Sequence, residues 1–163
     1  LKRAFSLTVS MFEGVLDNVK EPRTHSLGSL AYMEANINKY VSFCKRMLNA
    51  GLIQQDQQVL IYTVLQRIEQ ISRETKFMCN KLEKEKQLDK KTQERFQDVY
   101  ALLKSSFTLY YAYNFEKTLA LLEQRLSLIR KMQADLGSAS SHHLCNITQY
   151  IYDLAKAKMQ MEI

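Results

Sequence analysis

The chain has 163 residues, of which 46% are hydrophobic, and it contains one Pro, four Gly and no Trp. This shortage of turn residues argues against an all-β sandwich or barrel, and the recurring apolar patterns argue against a disordered chain. The 23 Lys and Arg residues exceed the 17 Asp and Glu residues, giving a net charge of +6 that favours acidic partners, anionic lipid or nucleic acid.

Six amphipathic segments follow one another, each with apolar residues at alternating steps of three and four. The first spans about 4–19 and ends before Pro22, which cannot continue a helix. The second spans about 29–49, and Gly51 follows it at a helix C-cap position. Their predicted core stripes are Phe5, Val9, Phe12, Leu16 and Val19 in the first, and Met33, Ile37, Tyr40, Cys44 and Met47 in the second.

The third segment starts near Asp56 and is the most regular. Seven consecutive stripe positions hold six apolar residues and one Thr, which demands a long helix. These positions are Ile61, Val64, Ile68, Ile71, Thr75, Met78 and Leu82. No Gly or Pro interrupts 81–95, so the third and fourth helices either fuse into one rod or turn near 87–89. We expect the turn, because the stripe lapses there and Asp89 can cap the next helix.

The last three segments complete the pattern. The fourth spans about 90–112, and Asn114 begins the fifth with Glu116 in its first turn. Gly137 ends the fifth segment, and the sixth spans about 141–159. Their stripes are Phe96, Val99, Leu103, Phe107 and Tyr110; Phe115, Leu119, Leu122, Leu126, Ile129 and Leu136; and Leu144, Ile147, Ile151 and Leu154.

These elements predict an all-α fold, an elongated antiparallel bundle of about six helices. Helices with three-four stripes pack nearly parallel to one another, crossing at about 20° as in coiled coils. The bundle is a single domain over 1–163, or two three-helix units over 1–88 and 89–163 joined through the charged stretch. The two halves share no repeated sequence, so a duplication is not indicated.

The residue patterns of an enzyme or cofactor site are missing from the sequence. The four glycines are too far apart for a phosphate loop or a nucleophile elbow, and no Cys-x-x-Cys pair occurs. His142, His143 and Cys145 are the one cluster with metal-ligand chemistry, but tetrahedral zinc needs four ligand groups, or three and a water. We therefore expect a protein that is not an enzyme, with no catalytic, cofactor-binding or metal residues and no small-molecule substrate.

Cysteine usage and hydropathy indicate a compartment. Cys44, Cys79 and Cys145 are odd in number and widely spaced, which argues against a disulfide framework and predicts a reducing, cytoplasmic or nuclear setting. No signal peptide is visible and no stretch approaches 18 uncharged apolar residues, so we expect no membrane span. Because the first residue is Leu1 and not Met, we expect a segment of a longer protein.

The aromatic residues are the unusual feature. Five of the nine positions 107–115 are aromatic, and a helix turns about 100° per residue, so the three tyrosines among them cannot all face one core. Such side chains either cap the edge of the core or line a groove, since Tyr is enriched in binding hot spots. The candidate partner-binding residues are Tyr110, Tyr111, Tyr113, Tyr150 and Tyr152.

The predicted function is protein–protein interaction. A bundle of amphipathic helices can act as a scaffold or adaptor that docks a partner's amphipathic helix or peptide in a groove between helices. The alternative is a basic, membrane-surface-binding bundle of the trafficking type, which requires the rod and a gathering of the lysines of 81–95 on one face. Self-association through 61–82 is a further alternative. Nucleic-acid binding is not indicated, because no helix has a dense basic recognition face.

Overall fold

The computed structural model describes residues 1–21, 25–51, 55–84, 88–133 and 139–162. They form six helices: α1 (Lys2–Lys20), α2 (Leu27–Asn49), α3 (Gln55–Leu82), α4 (Lys90–Tyr111), α5 (Phe115–Gln133) and α6 (Ala139–Met161). No strand occurs in these ranges, so the predicted all-α helical bundle is confirmed. None of the described helices has the length and apolar character that crossing a membrane requires.

The sequence predicts a turn near 87–89; Leu88 and Asp89 are described and lie outside both helices, whereas Gln87 lies outside the described residues. The Asp89 carboxylate accepts hydrogen bonds from the backbone N–H of Thr92 at 2.9 Å and from its hydroxyl at 2.6 Å. These bonds satisfy donors at the open start of α4, as an N-cap does. Since α3 ends at Leu82 and α4 begins at Lys90, the single rod is wrong.

Two further helix ends follow the predicted signals. The side-chain oxygen of Asn114 accepts a hydrogen bond from the backbone N–H of Lys117 at 2.9 Å, which caps α5. Gly51, directly after the C-cap of α2, has φ of 75°, a left-handed conformation that glycine adopts without strain. Three residues of the predicted stripes and helix ends lie outside the described residues, namely Pro22, Leu136 and Gly137.

Four helices surround the centre of the bundle, and two lie outside them. In the order α1, α3, α6 and α4, each of the four contacts its two neighbours. α2 packs on α1 and α3, whereas α5 packs on α4 and α6. Helices α1–α3 and α4–α6 are thus two groups of three that meet through α1 with α4 and α3 with α6. A division of the chain into units 1–88 and 89–163 stays a prediction, since these contacts fit one domain as well as two packed units.

The predicted stripe of α3 is at the centre of the core. Val64, Ile68 and Ile71 are completely buried, and Thr75 is buried with its hydroxyl donating to the carbonyl of Ile71 at 2.7 Å. That bond satisfies a polar group that would otherwise be costly to bury. The ends of the stripe, Ile61 and Leu82, are partly buried against the core.

Aromatic contacts join α1 to α4. The Phe5 ring meets Phe107 edge-to-face with centroids 5.1 Å apart, and Phe12 packs on Phe96 at 6.1 Å. Because residue numbers rise along α1 as they fall along α4, these pairs show that the two helices are antiparallel. The predicted stripe of α6 is likewise entirely buried, at Leu144, Ile147, Ile151 and Leu154.

Helix α2 is rotated relative to its predicted stripe. Its buried residues are Leu30, Glu34, Ile37, Val41 and Leu48. Met47, which was expected in the core, is 40% exposed. Leu30, Val41 and Leu48 belong to a second apolar stripe, and Glu34 can lie within it because it accepts hydrogen bonds from Lys76 of α3 at 3.1 Å and from Asn38 at 2.7 Å. A buried carboxylate with such partners is stable, but an apolar pattern does not reveal it.

Helix α5 departs most from the prediction. Its buried residues are Thr118, Leu121, Leu128 and Met132. Phe115, Leu119 and Leu126, which the sequence places in the core, are 54%, 40% and 48% exposed. The Thr118 hydroxyl donates to the carbonyl of Asn114 at 2.8 Å, so this polar residue can be buried at little cost. The expected burial is therefore wrong for these three residues, whereas Leu122 and Ile129 of the same stripe are partly buried against the core.

Candidate functional site

Exposed large apolar side chains are unevenly distributed over the described residues. They are Tyr32, Phe43 and Met47 of α2; Val59, Tyr62 and Phe77 of α3; Tyr111 of α4; and Phe115, Leu119 and Leu126 of α5. None of them belongs to α1 or α6. Within each of α2, α3 and α5 these residues share one helix face, and in α5 they follow one another at steps of four and seven.

Helix α5 has two apolar faces that are about 100° apart. Beside the buried face, a second set repeats at steps of four, three, four and three, and so lies along one side of the helix. We call this set the α5 stripe; it consists of Phe115, Leu119, Leu122, Leu126 and Ile129. Leu122 and Ile129 are partly buried against the core, whereas the other three members are 40–54% exposed. The stripe thus runs from the edge of the core outward into solvent.

Arg125 shows which neighbour the α5 stripe faces. It lies three residues after Leu122 and four before Ile129, so the three side chains are adjacent on the helix surface. The Arg125 guanidinium is 4.7 Å from the ring centroid of Tyr152, and it donates a hydrogen bond to the side chain of Gln149. Both of these residues are on α6. The α5 stripe therefore borders α6.

The opposite side of α5 forms a different groove, with α4. This groove of about 380 Å³ is lined by Lys104, Ser105, Thr108 and Leu109 of α4 and by Lys117, Ala120, Leu121 and Gln124 of α5. A cavity of about 10 Å³ lies beneath Tyr110, large enough for about one water. Neither is the enclosed apolar pocket that a small-molecule ligand fills.

Basic side chains border the α5 stripe. Arg130 lies four residues after Leu126, and Lys156 lies four residues after Tyr152 on the facing side of α6. Both are exposed, and neither forms an ion pair with a residue that the structure describes. Arg125 and Lys156 place two positive charges along the edge of the stripe that meets α6. Arg130 lies along the other edge, which it shares with the exposed carboxylates of Glu116 and Glu123.

The nearest carboxylate of α6 does not neutralise these charges. Asp153 accepts from the side chain of Gln149 at 3.2 Å, and its other oxygen is 2.8 Å from the guanidinium of Arg67 on α3. Its negative charge is therefore directed toward α3. The edge of α6 next to the α5 stripe stays basic.

The five tyrosines predicted to bind a partner lie in separate places. Tyr110 and Tyr111 end α4, where Tyr110 meets Phe5 of α1 with ring centroids 6.0 Å apart and Lys2 lies 5.6 Å from the Tyr111 ring. Burial raises the pKa of Tyr110 to about 12, as expected for a phenol on the rim of the core. Tyr113 follows in the connection to α5, with Lys158 at 5.9 Å from its ring.

The two tyrosines of α6 point to different neighbours. Tyr150 lies under Arg67 of α3 at 5.5 Å, whereas Tyr152 lies under Arg125 of α5 at 4.7 Å. The described residues thus contain no single groove lined by all five tyrosines. Tyr152 alone adjoins the α5 stripe, and a binding role for the other four stays a prediction.

Most tyrosines of this protein pair with a cation. A Lys or Arg lies over the ring of eight of the nine tyrosines. Such contacts occur about once per 70–80 residues in proteins, so they are enriched here. Four of these rings, those of Tyr40, Tyr100, Tyr110 and Tyr150, also pack against the edge of the core.

The histidine cluster points to α3. The Nδ1 atom of His143 lies 2.5 Å from the carboxylate of Glu74, and Phe77 packs against the same imidazole with ring centroids 5.8 Å apart. His142 is exposed, and Cys145 is partly buried with its pKa raised by that burial. In the described part of the chain, no three His, Cys, Asp or Glu side chains converge on a metal position.

The sequence reasoning missed the α5 stripe as a surface because it assigned these residues to the core. The signal was present, since Thr118, Leu121, Arg125, Leu128 and Met132 repeat at the same three-four steps and compete for the core position.

Comparisons with known proteins give no relative, for no family model, curated protein or solved structure matches the chain. Function therefore has to be inferred from the surface of the bundle itself.

Proposed function

We propose that this chain is a non-enzymatic protein–protein interaction or scaffold module that docks a partner's helix or peptide in a groove between its helices. The α5 stripe is the observation that supports this proposal most, because three of its side chains are 40–54% exposed at helical spacing. Single exposed apolar residues are normal on a monomer and need no explanation. A stripe at steps of three and four is the surface that an amphipathic helix covers.

The surface is held in place before any partner binds. Arg95 of α4 is 5% exposed, and its guanidinium donates to the carbonyl of Lys131 near the end of α5 and to the hydroxyl of Ser141 on α6, each at 3.1 Å. One side chain thus ties three helices together. A preformed surface loses little conformational entropy on binding, which favours recognition.

The ionisable groups fit a role without catalysis. Burial raises the pKa of Cys79 to about 12, and burial with the nearby Glu13 carboxylate raises the pKa of Tyr100 to about 12. Both groups are protonated near pH 7 at their ordinary pKa values as well, and the shifts move them further from the range in which catalytic groups titrate. All three cysteines are free thiols, which fits the reducing, cytoplasmic setting that we propose.

A panel of peptides tests the proposed function. Three fluorescein-labelled amphipathic peptides of about 18 residues would carry the same leucine stripe with glutamate, lysine or glutamine on the polar face. We expect at least one of them to bind with a dissociation constant below about 100 µM and to gain helical circular dichroism in the complex. Absence of binding by all three would contradict the proposal.

Contact with an anionic membrane is a second candidate. The rod expected for this role is absent, because α3 ends at Leu82 and α4 begins at Lys90, but α2 offers another surface. Its outer side exposes Phe43 and Met47 beside Lys39 and Arg46, and its one acidic residue, Glu34, is buried. Exposed apolar and basic residues on one helix can bind an anionic lipid surface. Co-sedimentation with phosphatidylserine vesicles that is lost in a Lys39→Glu/Arg46→Glu variant supports this role. Failure of the wild type to co-sediment rules it out.

A further inference from the structure

We infer that the α5 stripe and the facing edge of α6 form the docking site of an acidic amphipathic helix. The partner helix carries apolar residues at steps of three and four, which cover the α5 stripe, and carboxylates along the edge that meets α6. This inference rests on the proposed function and specifies its groove and its class of partner.

The length of the α5 stripe sets the length of the partner. From Phe115 to Ile129 the stripe spans 14 residue steps, which is about 21 Å at 1.5 Å per residue. A partner helix of about four turns matches this length and presents four or five apolar anchors. Leu122 and Ile129 give the groove an apolar floor, because they are partly buried against the core.

Charge favours a partner helix over a second copy of the chain as the occupant. A single helix is about 10 Å wide, so a contact about 21 Å long covers far less than the roughly 800 Å² per partner of a standard stable interface, whichever of the two binds. The edge of α6 next to the stripe carries the exposed Lys156, and Asp153 is engaged by Arg67, so a partner with carboxylates gains attraction there.

The charge of the groove favours carboxylates on the partner. Lys156 has no ion pair among the described residues, and Asp153 is engaged by Arg67, so the edge of the groove on α6 is basic. Guanidinium and ammonium groups next to an apolar stripe bind carboxylates strongly where water is partly excluded.

Fluorescence anisotropy with designed peptides tests the inference. The probe is the labelled glutamate peptide of the panel, and its matched controls are the lysine peptide and a glutamate peptide whose leucines are scrambled off one face. The test variants are Leu119→Ser/Leu126→Ser and Lys156→Glu. The control variant is Val59→Ser/Phe77→Ser, which changes two α3 residues that are 70% and 46% exposed.

The inference predicts a set of differences. The glutamate peptide binds, and the scrambled and lysine peptides bind at least about tenfold more weakly. The double serine variant weakens binding of the glutamate peptide at least about tenfold, because two anchors of the groove are lost. Lys156→Glu weakens it severalfold and strengthens binding of the lysine peptide. The α3 control binds like the wild type, and thermal melts of every variant show that the fold is retained.

Other results would overturn the inference in distinguishable ways. If a helical peptide binds but the double serine variant binds it equally well, the module is real and its groove lies elsewhere. Preference for the lysine peptide would refute the acidic partner. If the wild type is a dimer that the double serine substitution dissociates, the stripe binds a second copy of the chain. If the substitution abolishes binding to vesicles, the stripe binds a membrane. Failure of every peptide would contradict the proposed function together with the inference.

Discussion

Two leucines on one helix provide the sharpest test of how α5 is oriented. Leu126 is 48% exposed in the α5 stripe, whereas Leu128, two residues further on, is 3% exposed on the buried face. Leu126→Ala and Leu128→Ala are the same chemical change on the same helix. Any effect of helix propensity is therefore equal in both variants.

The expected cost of each change follows from burial. Truncation of a buried leucine to alanine costs about 2–5 kcal/mol, because transfer energy is lost and a cavity remains. For Leu128 we expect a loss of about 3 kcal/mol in the free energy of unfolding. Leu126 is half exposed and leaves no enclosed cavity, so its truncation costs less than about 1 kcal/mol. A chain of this length loses about 2–4 °C in Tm per kcal/mol, so Leu128→Ala lowers the Tm by about 6–12 °C.

Urea denaturation followed by circular dichroism measures both variants against the wild type. A shift in the midpoint at constant slope reports the stability change. Equal losses, or a larger loss for Leu126→Ala, would refute the orientation of α5 and place the α5 stripe in the core.

Three further outcomes follow from the structure. Asp89→Ala removes the N-cap of α4 and lowers the free energy of unfolding, measured by urea denaturation, by about 1 kcal/mol. Hydrogen bonds from Thr92 lower the pKa of Asp89 from its usual 3.8, so the stabilisation is present above pH 3.8 and is lost as the pH falls through the lower folded-state pKa. Wild type and variant therefore become equally stable in acid. Arg95→Lys lowers the free energy of unfolding by about 1–3 kcal/mol, because a lysine ammonium cannot make both of the hydrogen bonds by which the guanidinium links α4 to α5 and α6. A variant that melts at the wild-type temperature would contradict this. Cys79, whose pKa burial raises to about 12, stays unmodified by iodoacetamide at pH 8 in the folded chain and reacts in urea; mass spectrometry that finds it alkylated in the native state would contradict its burial.

Helix positions were predictable because local chemistry determines them. Asp89 and Asn114 cap α4 and α5 through bonds to donors only three residues away, and Gly51 supplies the left-handed residue after α2. The core face of α3 was predictable as well, since Ile61 to Leu82 offers one apolar stripe without a competitor. In these cases the sequence allows only one position for the helix end or one core face for the helix.

The orientation of α5 was not predictable in the same way, because its sequence offers two stripes with the same steps. The more apolar one was assigned to the core, yet the buried one includes Thr118, whose hydroxyl is satisfied by its own helix, and is adjacent to Arg125. Arg125 bonds to α6, a contact between residues distant in sequence. Hydropathy does not reveal such partners, and the same reason explains Glu34 on α2.

The candidate site depends on the packing of helices that the sequence does not order. Apolar residues at steps of three and four indicate that a helix packs against another helix, but they do not indicate which one. Placing α5 against α4 and α6 leaves the α5 stripe beside Tyr152 and Lys156. Of the five tyrosines proposed from composition, only Tyr152 adjoins this surface.

An NMR titration tests the central claim most directly. Amide spectra of the ¹⁵N-labelled chain are recorded as the glutamate peptide is added, and the resonances that move report the docking surface. We predict that the shifts concentrate on residues 115–129 of α5 and 149–156 of α6. Shifts that concentrate on α2 around Phe43 and Met47, or on α4 around Tyr111, would contradict the claim that the α5 stripe is the docking site.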